Sequence, residues 1–146
     1  MDLQIEKMTL QDFFLISDTL HSNFDTFWTP DTLKQEIECK NSYFIVAKNE
    51  GKIVGFAGIK IVFEDADLMN IVVKKDCRNQ QIGSFLLQYL FSYSKNHDIT
   101  SIMLEVNEKN FSAISLYKKF GFEQIGIRKN YYYNKDNAII MKKILK

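Results

Sequence analysis

The stretch "NIVVKKDCRNQQIGSFLLQYL", Asn70 to Leu90, carries the residues best suited to bind an anion. A β-branched run, Ile71-Val72-Val73, ends in a polar turn holding Arg78, Asn79, Gln80 and Gln81. Gly83 follows, and apolar residues then resume at helical spacing. A turn that feeds a helix leaves the first helical N–H groups without partners inside the helix. With the helix dipole, those groups form a receptor for anions, phosphate above all. Arg78 would add positive charge, and Gly83 would let a ligand approach the backbone closely. The plainer alternative is an ordinary strand-to-helix connection with a solvated arginine. A Walker-type loop is excluded, because no Lys-Ser or Lys-Thr pair follows the glycine.

Other reactive residue types point nowhere so definite. Cys39 and Cys77 have neither metal-ligand spacing nor the density of a disulfide framework. Cys77 beside Arg78 could carry a lowered pKa, but nothing in the sequence sets it by an acyl group. His21 and His97 lack a cysteine or acidic partner at ligand spacing, so structural or solvated roles are expected and no metal site is predicted.

The elements that must position this turn are legible from patterning. At 146 residues the chain has the length of one ordinary domain, and we expect a single domain over 1–146. A hydrophobic fraction of 46% places it among folded globules. With 19 basic against 18 acidic residues, there is no electrostatic reason to expect direct nucleic-acid binding. The opening residues alternate like a strand rather than a leader, and no apolar run approaches the roughly 18 residues of a membrane span. A cytoplasmic protein, monomeric or weakly dimeric, is the expectation. Leu3 and Ile5 mark a first strand. Thr9 is read as an N-cap with Asp12 in the first turn, leading into Phe13, Phe14, Ile16 and Leu20. Thr29-Pro30 starts a second helix with Leu33 and Ile37 inward. A hairpin turns at Asn49 to Lys52, and a second turn near Glu64-Asp65 leads into Leu68 to Val73. Ile82, Phe85, Leu86, Tyr89, Leu90 and Tyr93 form the stripe of the next helix. A strand Ile102 to Val106, a helix Asn110 to Phe120 capped by a left-handed Gly121, and strands at Phe122 to Arg128 and Ala138 to Ile144 complete the chain. Between the last two lies an aromatic, polar excursion, "KNYYYNKDN". This order predicts a mixed α/β sheet rather than a regularly alternating one.

On these residues the chain resembles a known family. "RNQQIGSFLL" is similar to the coenzyme A loop of the GNAT acetyltransferases, Arg/Gln-x-x-Gly-x-Gly/Ala. Downstream, Leu104-Glu105-Val106, Asn110, Ala113, Leu116-Tyr117, Gly121-Phe122, Gly126, Arg128 and Tyr131-Tyr132 resemble the ordered tail of the RimI-type ribosomal-protein-alanine N-acetyltransferases. The match covers most of residues 66 to 141. It implies an α+β fold with a mostly antiparallel, twisted sheet of about seven strands flanked by about four helices. Some positions depart from the family pattern. Its first loop glycine is Gln81 here, a proline before the loop is Lys75, an arginine after Leu-Glu-Val is Asn107, and Glu-Asp before the last strand is Asp136-Asn137. Gln81 is expected to point its amide at phosphate from an ordinary backbone. The Asn107 and Asp136-Asn137 changes fall on the acceptor side.

The resemblance implies acetyl-CoA as co-substrate and assigns roles. Glu105 would be the general base, and in "IMLEV" it points to the face opposite Ile102, Leu104 and Val106. Tyr117 would protonate the departing thiolate and touch the cofactor, although a core tyrosine is routine on its stripe. Ile71, Val72 and Val73 would pair with pantetheine through their main chains, an amide near Val73 serving the oxyanion. Arg78, Asn79, Gln80, Gln81, Ile82, Gly83 and Ser84 would hold the diphosphate. Asn110 would contact the cofactor, cap the following helix, or do both. Arg128, Tyr131 and Tyr132, with Tyr133, would shape the acceptor side. The implied acceptor is the N-terminal alanine of a ribosomal protein. A small amine such as a polyamine or amino sugar, or a non-catalytic coenzyme A-binding module, are the alternatives.

Overall fold

The computed structural model describes residues 2–24, 28–132 and 135–145. Strand β1 (Leu3–Lys7) leads to α1 (Leu10–Ile16), whose start is locked by a reciprocal capping box. The Thr9 N–H donates to Asp12 Oδ2 at 2.9 Å, and the Asp12 N–H donates to Thr9 Oγ1 at 3.1 Å. Beyond Ile16 the helix tightens into a 3₁₀ turn (Ser17–Thr19) and then widens into a π turn (Leu20–Phe24). This change of pitch keeps Ile16, Leu20 and Phe24 buried on one side. Phe14, expected on the inner stripe, is instead 61% exposed; it lies about 100° round the helix from Phe13. Helix α2 (Pro30–Glu38) begins at Thr29 with Pro30 in its first turn and buries Leu33.

Strands β2 (Ser42–Asn49) and β3 (Lys52–Val62) form the expected hairpin. Glu50 and Gly51 both carry positive φ, 52° and 78°, the primed turn that suits the twist of two-residue hairpins. β4 (Asp65–Val73), α3 (Ile82–Asn96), β5 (Ser101–Asn107), α4 (Phe111–Lys119), β6 (Glu123–Tyr132) and β7 (Asp136–Ile144) follow in the predicted order. The seven strands make one sheet, ordered β1-β2-β3-β4-β5-β7-β6, antiparallel except where β4 meets β5. With four α-helices among the described residues, this is the architecture the resemblance implies.

Alternation along the strands builds two cores. Ile45, Ala47, Ala57 and Ile59 face α3 and α4, whereas Phe44, Val46 and Phe56 face α1 and α2. Gly58 is required by close approach: a methyl there would sit 2.3 Å from the Phe44 ring. The buried stripe of α3 runs through Ile82, Leu86 and Leu90, flanked by Leu87 and Phe91. Phe85 and Tyr89, predicted to face inward, are exposed on the opposite flank, because a helix apolar on most sides is oriented by its best-fitting stripe. Tyr93 is half-buried and stacks on Tyr43 with ring centroids 3.6 Å apart. Helix α4 ends as expected, with Gly121 at φ 94°.

The "KNYYYNKDN" excursion is shorter than predicted. β6 runs on through Tyr132 and β7 resumes at Asp136, with a register shift between Arg128 and Tyr132 around Asn130 (φ 53°). The Asn130 N–H donates to Asn137 Oδ1 at 2.9 Å, so the bulge satisfies itself locally. Tyr133 lies outside the described residues. Among the described residues, no helix is long and apolar enough to cross a membrane.

Candidate active site

The sheet parts in its middle. β4 and β5 pair in parallel at only three positions, Asp65 with Ser101, Ala66 with Ile102 and Asp67 with Met103. Beyond that point β4 stays on β3 as far as Val73, and β5 stays on β7 as far as Asn107. The register jump between Gly58–Asn70 and Ile59–Leu68 makes Met69 a bulge residue, and a bulge bends its strand at the place where the two diverge. Which main-chain groups face the gap follows from the ladder. The Lys74 N–H donates to the Val54 carbonyl at 2.8 Å, so Val72 also directs its main chain to β3. Ile71 and Val73 then direct theirs into the gap. Of the three residues expected to make strand-like contacts, Ile71 and Val73 turn their main chains to the gap, and Val72 contributes its side chain to the α1/α2 core instead.

At the end of β4 the turn has the shape of an anion receptor. Asn79 and Gln81 both sit at φ 64°, and Gln81 occupies the N-cap of α3 without a side-chain cap. The expected ordinary backbone at Gln81 is therefore wrong; the turn requires the left-handed conformation whichever residue stands there. The Phe85 N–H is the first to bond within the helix, to the Gln81 carbonyl at 3.1 Å, which leaves the amides of Ile82, Gly83 and Ser84 pointing out of the helix end. Ile82 is 1% exposed, so only its main chain is available. A methyl added to Gly83 would meet Leu116, Ile71 and Val73 side chains at 3.6–3.9 Å, ordinary contact distance. Packing within the chain thus does not demand a glycine there, whereas a pyrophosphate lying on the helix end would.

A cleft of about 1040 Å³ fills the gap and continues toward β6. Glu105 and Tyr117 both line it, with Ile71, Asn110, Tyr131 and Tyr132. Burial pushes the Tyr117 phenol up to about 12, and the nearby Tyr132 adds to the effect. Tyr132 is raised by burial, by Glu105 and by Tyr131. The three residues Glu105, Tyr132 and Tyr117 thus form one electrostatically linked group. Arg128 reaches Glu105 from β6, its Nη2 being 3.1 Å from Oε1, and its guanidinium lies 4.9 Å from the centre of the Tyr131 ring. Asn110 caps α4, its Oδ1 accepting from the Ala113 N–H at 3.2 Å, which is the expected cap, and it also lines the cleft.

Several lining residues escaped the sequence reading. Trp28, Asp67, Met69 and Met103 form walls of the cleft. Trp28 comes from the segment before α2 and stands 6.1 Å from Phe44 of β2, a contact between segments distant in sequence that no local pattern announces. Asp67 and Met103 mark the last paired position before the strands part. Other candidates fall away. Burial and the Asp76 carboxylate push the Cys77 thiol up rather than down, the reverse of an activated nucleophile. His97 is held by a 2.8 Å contact between Nδ1 and the Tyr93 carbonyl and stacks on that ring, a structural role.

Known proteins share this fold. The Acetyltransferase (GNAT) family model matches residues 13–122. A Bacillus subtilis (strain 168) protein, provisionally named a [ribosomal protein bS18]-alanine N-acetyltransferase, is 36% identical over 139 residues, covering 94% of this chain and 92% of its own. The [ribosomal protein bS18]-alanine N-acetyltransferase of Escherichia coli (strain K12) is 38% identical over 94 residues, 62% of this chain and 64% of its own. The crystal structure of the ribosomal-protein-S18-alanine N-acetyltransferase from Escherichia coli superposes with a TM-score of 0.91 at 26% identity, covering 99% of this chain and 95% of that one. The split sheet, the open helix end and these matches make the chain a member of the GNAT family of acetyl-CoA-dependent N-acetyltransferases.

Proposed function

We propose that this enzyme acetylates the N-terminal α-amine of an alanine-initiated ribosomal protein of the bS18 kind, and so works in the cytoplasm. The observation that carries the reading is the 36% identity, spread over nearly the whole chain, to a relative named for that reaction. Chemistry supports it. An α-amine has a pKa near 8 and is substantially neutral at pH about 7.5, whereas a lysine amine near 10.4 is neutral about once in a thousand molecules. A carboxylate base can serve the first far more readily than the second.

Acetyl-CoA supplies an acetyl group activated as a thioester. The open amides of Ile82, Gly83 and Ser84, with Arg78, Asn79, Gln80 and Gln81, hold its diphosphate. The main-chain groups of Ile71 and Val73 hold the arm that carries the acetyl group, and the Val73 N–H meets the carbonyl oxygen as negative charge builds on it. The acceptor nitrogen attacks the carbonyl carbon, and a C–N bond replaces the C–S bond. Glu105 takes the proton lost from nitrogen, directly or through a water. Tyr117 gives its Oη proton to the departing sulfur. A phenol held near 12 remains protonated at every working pH, so Tyr117 acts as a steady donor to sulfur rather than as a strong acid. Arg128, Tyr131 and Tyr132 border the acceptor.

The test is an acetylation assay with peptides that differ in their first two residues, run beside polyamines and amino sugars and read by mass spectrometry. Acetyl addition at the α-amine of an Ala-initiated, bS18-like peptide, at least tenfold faster than on any small amine, is expected. Faster turnover of a small amine would replace this reading with the small-molecule alternative.

A further inference from the structure

Two of the carboxylates on β5 and β7, Glu105 and Asp136, are neutralised by cations of the chain. Glu105 pairs with Arg128 at 3.1 Å. Asp136 pairs with Lys109 at 2.9 Å and accepts from Asn107 Nδ2 at 3.2 Å. Glu108 accepts from the Asn137 N–H at 2.9 Å and from its Nδ2 at 3.4 Å. A site meant to gather cationic amines would leave its carboxylates uncompensated, because an ammonium group is drawn to bare negative charge. Of the two carboxylates that line the cleft, Glu105 has a cationic partner supplied by the chain, whereas Asp67, on the β4 wall, has no ion pair among the described residues.

Arg128 is the member of this set that touches the proposed base. Its guanidinium is held on two sides, by Glu105 Oε1 and by the Tyr131 ring, on a strand anchored to β7 through Arg128 and Ala138. We propose that Arg128 is a specificity-determining residue: it neutralises Glu105 toward incoming cations, so that protonated amines gain nothing from Glu105 and neutral α-amines are favoured beside it. This rests on the reading of Glu105 as the group beside the acceptor nitrogen. Charge rejection then converts an acid–base difference into selectivity. At pH about 7.5 an α-amine offers roughly 200 times the neutral fraction of a lysine-type amine. A site that ignores the ammonium form passes that whole ratio on to kcat/KM.

The experiment compares Arg128→Gln, which keeps a hydrogen-bonding amide without the charge, with Arg128→Lys, which keeps the charge. Each is assayed with an Ala-initiated peptide and with spermidine. For Arg128→Gln the ratio of kcat/KM for the peptide to that for spermidine should fall about tenfold or more, mainly through a lower KM for spermidine. Arg128→Lys should restore the ratio to within about threefold of the unaltered enzyme. A binding measurement that needs no turnover runs alongside: an N,N,N-trimethyl-alanyl peptide, permanently cationic, should inhibit Arg128→Gln about tenfold more tightly than the unaltered enzyme. An unchanged ratio and unchanged inhibition in Arg128→Gln would overturn the proposal. Glu105→Gln separates the two ideas. If it abolishes turnover of every acceptor while Arg128→Gln changes no ratio, the base survives and the selectivity role falls. If it turns over normally, the assignment of Glu105 itself is lost.

Discussion

Asn79 and Gln81 share one left-handed backbone conformation, φ 64° at each, on either side of Gln80. Left-handed residues in a turn swing successive N–H groups toward one side and form concavities that hold anions. Only glycine takes this conformation without steric cost; for other residues the cost is about 1–2 kcal/mol. Gln81→Gly should therefore stabilise the protein by about 0.5–1 kcal/mol, part of the relieved strain being offset by the freer unfolded chain. Urea denaturation measures this. Acetyl-CoA affinity should hold or tighten, and a tenfold loss would mean that the Gln81 amide itself grips phosphate.

In the proposed mechanism Arg78 acts on charge at longer range. Arg78→Ala should weaken acetyl-CoA binding severalfold at about 50 mM salt, and the deficit should narrow at about 500 mM, where exposed charges are screened. Calorimetric titration at the two salt concentrations decides. A dissociation constant equal to that of the unaltered enzyme at low salt would remove the loop from cofactor binding.

Tyr117 and Glu105 make separable predictions. Glu105→Gln should lower kcat by about 10²–10⁴, and Tyr117→Phe by a smaller factor, because a raised phenol steadies sulfur more than it drives proton transfer. The same phenol predicts behaviour in alkali. Tyr117 and Tyr43 are both pushed up to about 12, chiefly by burial. Unfolded tyrosines ionise near 10, so between about pH 10 and 12 the unfolded chain has lost protons that the fold retains. Stability must fall as pH rises through that window. Absorbance at 295 nm should show Tyr43 and Tyr117 among the last of the seven tyrosines to ionise, together with unfolding.

Lys48 joins two acids, 2.7 Å from Glu6 and 3.0 Å from Asp12. Burial by itself would raise Asp12, but bonds from the Thr9 N–H, Lys48 and the Thr9 hydroxyl outweigh it and hold the carboxyl below the usual range. Asp12 thus contributes stability above about pH 4 that is lost as pH falls through its depressed value. Lys48→Met should cost about 2–3 kcal/mol near pH 7, between the values for exposed and fully buried pairs. Thermal melts should show the gap closing below about pH 3.

What the sequence disclosed was local, and what it withheld was not. Thr9 with Asp12, Thr29 with Pro30 and Asn110 all cap helices through bonds spanning about one turn, so residue type and spacing suffice to find them. Glu105 and Tyr117 stood out by resemblance, and they line one cleft. The parting of β4 from β5 was hidden, because Leu68 to Val73 has the same β-branched character whether its outer edge is paired or open. The Glu105–Arg128 contact crosses β5, β7 and β6, and no spacing rule reaches across three strands. Phe85 and Tyr89 misled because α3 is apolar on most sides, and periodicity alone does not choose among nearly equal faces.

On the proposed function, the unclosed seam beside Ile71 and Val73 would tie the enzyme's durability to its supply of donor. Peptide groups inside a domain that wait for a visitor to complete their bonding favour whatever completes them. Coenzyme seated there adds to the native state a free energy that grows with its concentration, about 2.7 kcal/mol at a hundredfold excess over its dissociation constant.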